Sequence, residues 1–296
     1  MLLLRFKHWQ GLGARRVRYR GQELGFGTQE VGGRAMAEIV DAVDRDGYVV
    51  LENVFAPQDL AGVTLELDQA IRGGRLLPVL RDTRAESKER FLTAEELSRG
   101  PEYISQNAFV AYVADPFMTC PSSQAYLFSD TIIDLAAAIY ESPPLLVGGK
   151  VMRSFCNDLP LVEFNYFHYD SQSVRIIKFF LYLNDVAVDG GPFCYVSGSH
   201  RRKPPGWRTR SHWSDEEIEA FYGKQAVHQL AAKAGDLIIA NTFGFHRAAK
   251  PASSRRDLLL VGTGAHSFGG SVRMSKADLS GLSPKQVAFA DCAELV

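Results

Sequence analysis

The chain has 296 residues, 46% of them hydrophobic, enough for one large domain with a sizeable core. Its 33 basic and 34 acidic residues leave a net charge of -1. That balance supplies no global field to recruit nucleic acid, so nucleic acid is excluded as the default partner. Cys120, Cys156, Cys194 and Cys292 are scattered without a close pair. Such spacing fits neither a zinc knuckle nor a disulfide framework and points to a reducing, cytoplasmic compartment.

The N-terminal MLLLRF begins apolar, but Arg5 and Lys7 interrupt it well short of a signal-peptide core or a membrane span. Residues 1–22 carry Arg5, Lys7, Arg15, Arg16, Arg18 and Arg20 and no acid, and we expect residues 1–34 to form a solvated basic arm or edge strand rather than a membrane-docking one. Helical spacing of Met36, Ile39, Val40 and Val43 predicts a helix over 35–46, stopped by Gly47 before a strand over 48–54. Pro57 suits the first turn of a second helix, which Gly73 and Gly74 close. Residues 75–120 are charged, without a dominant period, and broken by Pro78, Pro101 and Pro116. A lid or substrate loop is expected there.

A helix over 130–140 precedes a change of pattern at Leu145. Short β-type runs follow at 147–155, 162–169, 175–183, 193–196, 227–230, 237–240 and 257–262. One helix interrupts them, where Ser214 and Glu217 form a capping box ahead of Ile218 and Phe221. Many short strands punctuated by Gly and Pro predict a mainly β fold with flanking helices, of the sandwich, barrel or jelly-roll kind. We expect one domain over 35–296.

Of the 7 histidines, His8, His200, His212, His228 and His266 read as surface or hydrogen-bonded core residues. His168 differs because it stands two residues from Asp170, and on an extended strand that spacing places imidazole and carboxylate on one face. His246, at the end of a later strand run, is a candidate third ligand. Two histidines and one carboxylate leave three octahedral positions open, the arrangement used for O2 activation at non-haem Fe(II). A zinc hydrolase or isomerase on a cupin-like barrel would use the same three residues, and a non-catalytic jelly-roll binding module would need them broken. Downstream, Arg255 and Arg256 enter the last strong strand run. A guanidinium grips a carboxylate through two parallel hydrogen bonds, which suits a dicarboxylate cosubstrate, and adjacent strand residues face opposite ways, so one of the two arginines points inward.

In FHYD (167–170), GGPFCYVSGSH (190–200), AGDLIIANTFGFHRA (234–248) and the opening DGYVVLENVFAPQDL (46–60), the chain resembles the phytanoyl-CoA dioxygenase family of Fe(II)/2-oxoglutarate oxygenases. The resemblance implies a double-stranded β-helix, or jelly roll, with iron held by His168, Asp170 and His246 and with 2-oxoglutarate and O2 as cosubstrates. It maps the 2-oxoglutarate arginine to Arg255, from Arg-x-x-Leu with Leu258, with Arg256 the runner-up. Related halogenases have a small residue where Asp170 stands, so the resemblance implies hydroxylation or another oxidation without halogen transfer, and by family analogy a small metabolite or natural-product intermediate as substrate, with succinate and CO2 released. Desaturation, ring closure and epimerisation stay open.

Overall fold

The computed structural model describes residues 15–19, 22–27, 30–73, 76–80, 90–91, 93–113, 115–161, 163–266, 272–275, 279–291 and 294–295. Arg5, Lys7, Arg20 and Cys292 lie outside the described residues. A hairpin of β1 (Arg15–Tyr19) and β2 (Gln22–Phe26) precedes α1 (Met36–Asp46) and β3 (Tyr48–Leu51). The α1 helix ends where the periodicity predicts. Gly47 takes the left-handed conformation at φ 89° and its N–H caps Val43 O at 2.9 Å.

A short 3-10 turn, Pro57–Leu60, then leads into α2 (Ala61–Arg72). The stretch expected to be a lid contains β4 (Leu76–Leu80), β5 (Arg90–Phe91), α3 (Ala94–Ser98), α4 (Pro101–Asn107), β6 (Ala108–Val113) and α5 (Pro116–Thr119). Here the sequence reading needs correction, because Pro101 and Pro116 begin helices rather than break a loop. Moreover, β4 and β6 are ladder members of the main sheet.

Next come α6 (Pro121–Leu127), α7 (Asp130–Tyr140), β7 (Leu145–Ser154), β8 (Ile177–Tyr182) and β9 (Phe193–Val196). They are followed by α8 (Asp215–Tyr222), β10 (Val227–Leu230), β11 (Leu237–Asn241), β12 (His246–Ala248), β13 (Arg256–Gly264) and β14 (Arg273–Met274), and the chain closes with α9 (Pro284–Phe289) and β15 (Glu294–Leu295). The expected capping box at Ser214 and Glu217 opens α8. The strand expected over 162–169 is absent: residues Glu163–Asn165 form a 3-10 turn, and only isolated bridges follow, Phe167 to Trp213 and His168 to His246.

One sheet has eight strands in the order β3-β11-β8-β13-β7-β6-β4-β5, and a second has three, β10-β9-β12. The ladders within both are antiparallel. Alternation along each strand sorts side chains between two cores. Phe179, Leu181, Ile239, Leu259 and Val261 point outward and pack with Ile39, Val43, Val63, Leu67, Ile132 and Ile139 of the helices. Phe180, Tyr182, Ile238 and Leu258 point inward and meet Phe193, Tyr195 and Leu230 of the smaller sheet. This is a jelly roll of two facing sheets, with no ladder joining them among the described residues.

Leu24 and Phe26 of the hairpin are buried in the outer core, so β2 belongs to the folded unit and not to a solvated arm. Cys120, Cys156 and Cys194 are free. Among the described residues no helix is long and apolar enough to cross a membrane.

Candidate active site

His168 and His246 are brought together by the backbone. Each donates its N–H to the other's carbonyl, at 3.0 Å from His168 and 2.9 Å from His246, and the ring centroids lie 4.4 Å apart. Two residues on, Asp170 N–H bonds Thr242 O at 2.8 Å, just beyond the end of β11. Segment 167–170 thus crosses from the edge of the small sheet to the end of the large one, and it delivers His168 and Asp170 without being a regular strand.

Both imidazoles are oriented by carbonyls. His168 Nδ1 is 3.0 Å from Tyr166 O and His246 Nδ1 is 3.0 Å from Gly244 O. A carbonyl only accepts, so each Nδ1 carries the proton and each Nε2 keeps a free lone pair. Burial pushes the pKa of both rings down, and at His246 the neighbouring His168 pushes the same way, so both stay neutral. Burial acts upward on the Asp170 carboxyl, but Lys178, His246 and the Thr242 hydroxyl outweigh it and hold the group well below the usual carboxylate range.

Lys178 Nζ lies 2.7 Å from Asp170 Oδ2, yet that oxygen receives no well-directed hydrogen bond. Among the described residues no three His, Cys, Asp or Glu side chains already stand in ligating geometry. What stands together is two neutral imidazoles with free Nε2 atoms and an anionic carboxylate whose buried Oδ2 is ion-paired with Lys178. That donor set fits a divalent ion of the borderline kind that imidazole and carboxylate share.

His168 and His246 line one cavity with Lys150, Lys178, Ser154 and Arg256, among Tyr112, Met152, Phe164, Phe180, Phe193 and Leu258. Arg256 is only 4% exposed. Its Nη1 donates to Gly191 O at 2.5 Å and its Nη2 to Ser154 Oγ at 3.1 Å, while Nε is buried without a partner.

Arg255, to which the family resemblance maps the 2-oxoglutarate arginine, is placed differently. Its side chain is 50% exposed, does not line the cavity, and bonds Asp257 Oδ2 at 3.2 Å. Strand phase explains the difference, because Arg256 takes the inner face at the start of β13, whereas Arg255, just before the strand, lies with Asp257 on the outer side. Asp257 is fully buried there in a double hydrogen bond from Arg153, at 2.7 and 2.6 Å.

Other residues flanking segment 167–170 have structural partners. Tyr182 is buried and bonds Leu230 O, Arg175 pairs with Asp44 at the surface, and Asn165 donates to Ala248 O. Lys178 and Lys150 were not singled out from the sequence, although a lysine inside each apolar run (IIKFFLY and GKVM) was the available signal.

An antiparallel jelly roll with two histidines on its cavity wall, and a carboxylate two residues from one of them, presents the donor types that non-haem Fe(II) sites use. The chain belongs to the phytanoyl-CoA dioxygenase (PhyH) family, whose model matches residues 43–256. Solved structures share the fold at low identity. The epimerase SnoN, in complex with Fe3+, alpha ketoglutarate and nogalamycin RO, is 18% identical with TM-score 0.57, over 77% of this chain and 82% of that one. The alpha ketoglutarate dependent carbocyclase SnoK from nogalamycin biosynthesis is 17% identical with TM-score 0.56, over 80% and 87%. HygX from Streptomyces hygroscopicus, with nickel and 2-oxoglutarate bound, is 17% identical with TM-score 0.55, over 83% and 94%. No curated protein sequence matches the chain.

Proposed function

We propose that the protein is an Fe(II)- and 2-oxoglutarate-dependent oxygenase that hydroxylates a small molecule. The observation that carries the reading is the shared cavity, with His168 and His246 on its wall beside Lys178, which pairs with Asp170, and with the buried Arg256 on the same wall. In this reading the Nε2 atoms of His168 and His246 and the Asp170 carboxylate hold the iron. Arg256, with the Ser154 hydroxyl beside it, takes the far carboxylate of 2-oxoglutarate. Bound together, iron and 2-oxoglutarate couple O2 reduction and oxidative decarboxylation, yielding succinate and CO2, to oxidation of a substrate C–H bond.

The chain's own residues do the rest. Tyr166 O and Gly244 O fix which imidazole nitrogen faces the cavity. Lys178 holds the Asp170 carboxylate ionised. Phe164, Phe180, Phe193, Met152 and Leu258 make an apolar wall that keeps water from the reacting centre. SnoN and SnoK, named as an epimerase and a carbocyclase, have the same fold, so the product class is decided by how substrate sits rather than by the scaffold.

Anaerobic addition of Fe(II) and 2-oxoglutarate should give a visible charge-transfer band. Admission of O2 should then yield succinate, and a substrate screen should yield a product heavier by one oxygen atom. Zn(II)-dependent turnover without 2-oxoglutarate consumption would overturn the reading.

A further inference from the structure

Lys203, in the loop after β9, is not used in the site described above. Its ammonium is surrounded by aromatic rings, at 4.1 Å from the Phe245 centroid, 4.7 Å from Tyr169, 4.7 Å from Phe243 and 5.5 Å from Trp207. It donates one hydrogen bond, to Phe243 O. No carboxylate among the described residues pairs with it. Burial pushes its pKa down to about 7, and the ring faces, whose quadrupoles attract a cation, act in the opposite direction.

The rings come from both segments that carry the candidate ligands. Tyr169 stands between His168 and Asp170, and Phe243 and Phe245 lead directly into His246. Within the turn before His246 each backbone group from Phe243 to Phe245 has a partner. Phe243 N–H goes to Asn241 Oδ1 at 3.2 Å and Gly244 N–H to Asn241 O at 2.9 Å. Phe245 N–H goes to Ser199 Oγ at 2.7 Å and Phe245 O accepts from Val196 N–H at 3.0 Å. Gly244 O orients His246, and Phe243 O is held by Lys203. Ser199 and Lys203 both belong to the stretch after β9, and Lys203 is the one charged support among these.

We propose that Lys203 is a positioning residue of the metal face, a partly buried ammonium that ties segment 168–170 to the 242–246 turn and so sets the approach of Asp170 and His246. This rests on the metal-site reading above. The physical reason is that a cation can draw several rings around one point while its N–H fixes a peptide plane, whereas an apolar side chain fills the same box without directing either segment.

The test is titration of the metal-free protein with Co(II), read from its d–d absorption. Lys203→Met keeps length and contacts rings favourably through sulfur, but has no charge and no donor. It should weaken Co(II) binding by about 10- to 100-fold, the range seen when groups that orient metal ligands are removed. It should also change the d–d band while leaving the metal-free melting temperature no lower than that of the unsubstituted protein. Lys203→Arg, which keeps the cation, should regain most of the affinity. If Lys203→Met does not fold, Lys203→Gln carries the same comparison with a neutral donor. Co(II) binding within twofold of the unsubstituted protein, an Arg variant as weak as the neutral one, or a fall in metal-free stability that matches the loss of affinity would each overturn the proposal. Failure of the unsubstituted protein to bind Co(II) would instead sink the metal-site reading itself.

Discussion

Arg255 and Arg256 are chemically identical neighbours whose environments assign them different work. Arg256 reaches into the cavity with a buried, unpartnered Nε, whereas Arg255 lies half exposed against an Asp257 that Arg153 already satisfies. Removing a charged group's hydrogen bonds costs about 1.5–3 kcal/mol. Arg256→Ala should therefore raise the 2-oxoglutarate concentration for half-maximal turnover by about 10- to 150-fold, and Arg255→Ala should change it less than about threefold. Steady-state kinetics in 2-oxoglutarate checks this, and equal effects would mean that strand phase does not select the anchor. The imidazoles make a second prediction. Burial holds the pKa of His168 and His246 below 6.5 in the folded chain. The unfolded chain gains protons first as pH falls, so stability is lost from pH 6.5 downward, by up to about 1.4 kcal/mol per imidazole per pH unit. Urea midpoints of the metal-free protein should drop between pH 7.5 and 5, and more shallowly in His246→Gln.

The 241–246 turn shows how an element can be specified by what it excludes. Tyr195 is fully buried, its hydroxyl donates to Asn241 O at 2.8 Å, and a Cβ on Gly244 would meet that hydroxyl at 1.9 Å. Gly244→Ala forces the turn or the tyrosine to move. It should cost about 1–3 kcal/mol of stability and, by displacing Gly244 O from His246, weaken Co(II) binding as well. Unchanged Co(II) affinity in that variant would show that the turn does not set His246. That segment 167–170 meets His246 and the turn before it was legible in the sequence, because short motifs carry both. Elements formed by local periodicity were equally legible, α1, α7 and α8 among them. The misreadings arise where long-range pairing decides. β6 is buried on both faces, so AFVAYV shows no alternation, and its membership of the sheet depends on β4 and β7. Residues 162–169 have the composition of a strand but only isolated bridging partners, so propensity alone misleads there. Lys178, Lys203 and Ser154 were not picked out because their partners come from other strands and loops, and no spacing rule links them.

At the scale of the whole molecule, the large sheet separates two tasks. Its outer face, with the helices and with Leu24 and Phe26 of β2, holds most of the buried apolar side chains among the described residues, whereas its inner face and the smaller sheet hold the cavity. Leu24 and Phe26 belong to the outer core. Phe193 belongs to the inner one, with its ring 4.3 Å from Phe180 and 5.5 Å from His246 between centroids. Truncating buried Leu or Phe to Ala costs about 2–5 kcal/mol through lost transfer energy and the cavity left behind. The double variant Leu24→Ala/Phe26→Ala should therefore lower the urea midpoint strongly while leaving Co(II) and 2-oxoglutarate affinities of the folded protein within about twofold, since no inner-face contact is removed. Phe193→Ala should also destabilise, but it opens space beside His246 and should weaken both affinities by far more. Urea melts paired with ligand titrations on the two variants separate the cases. If the hairpin variant lost metal affinity in step with its stability, the two faces would act as one packed unit, and the sheet would transmit strain to the site rather than insulate it.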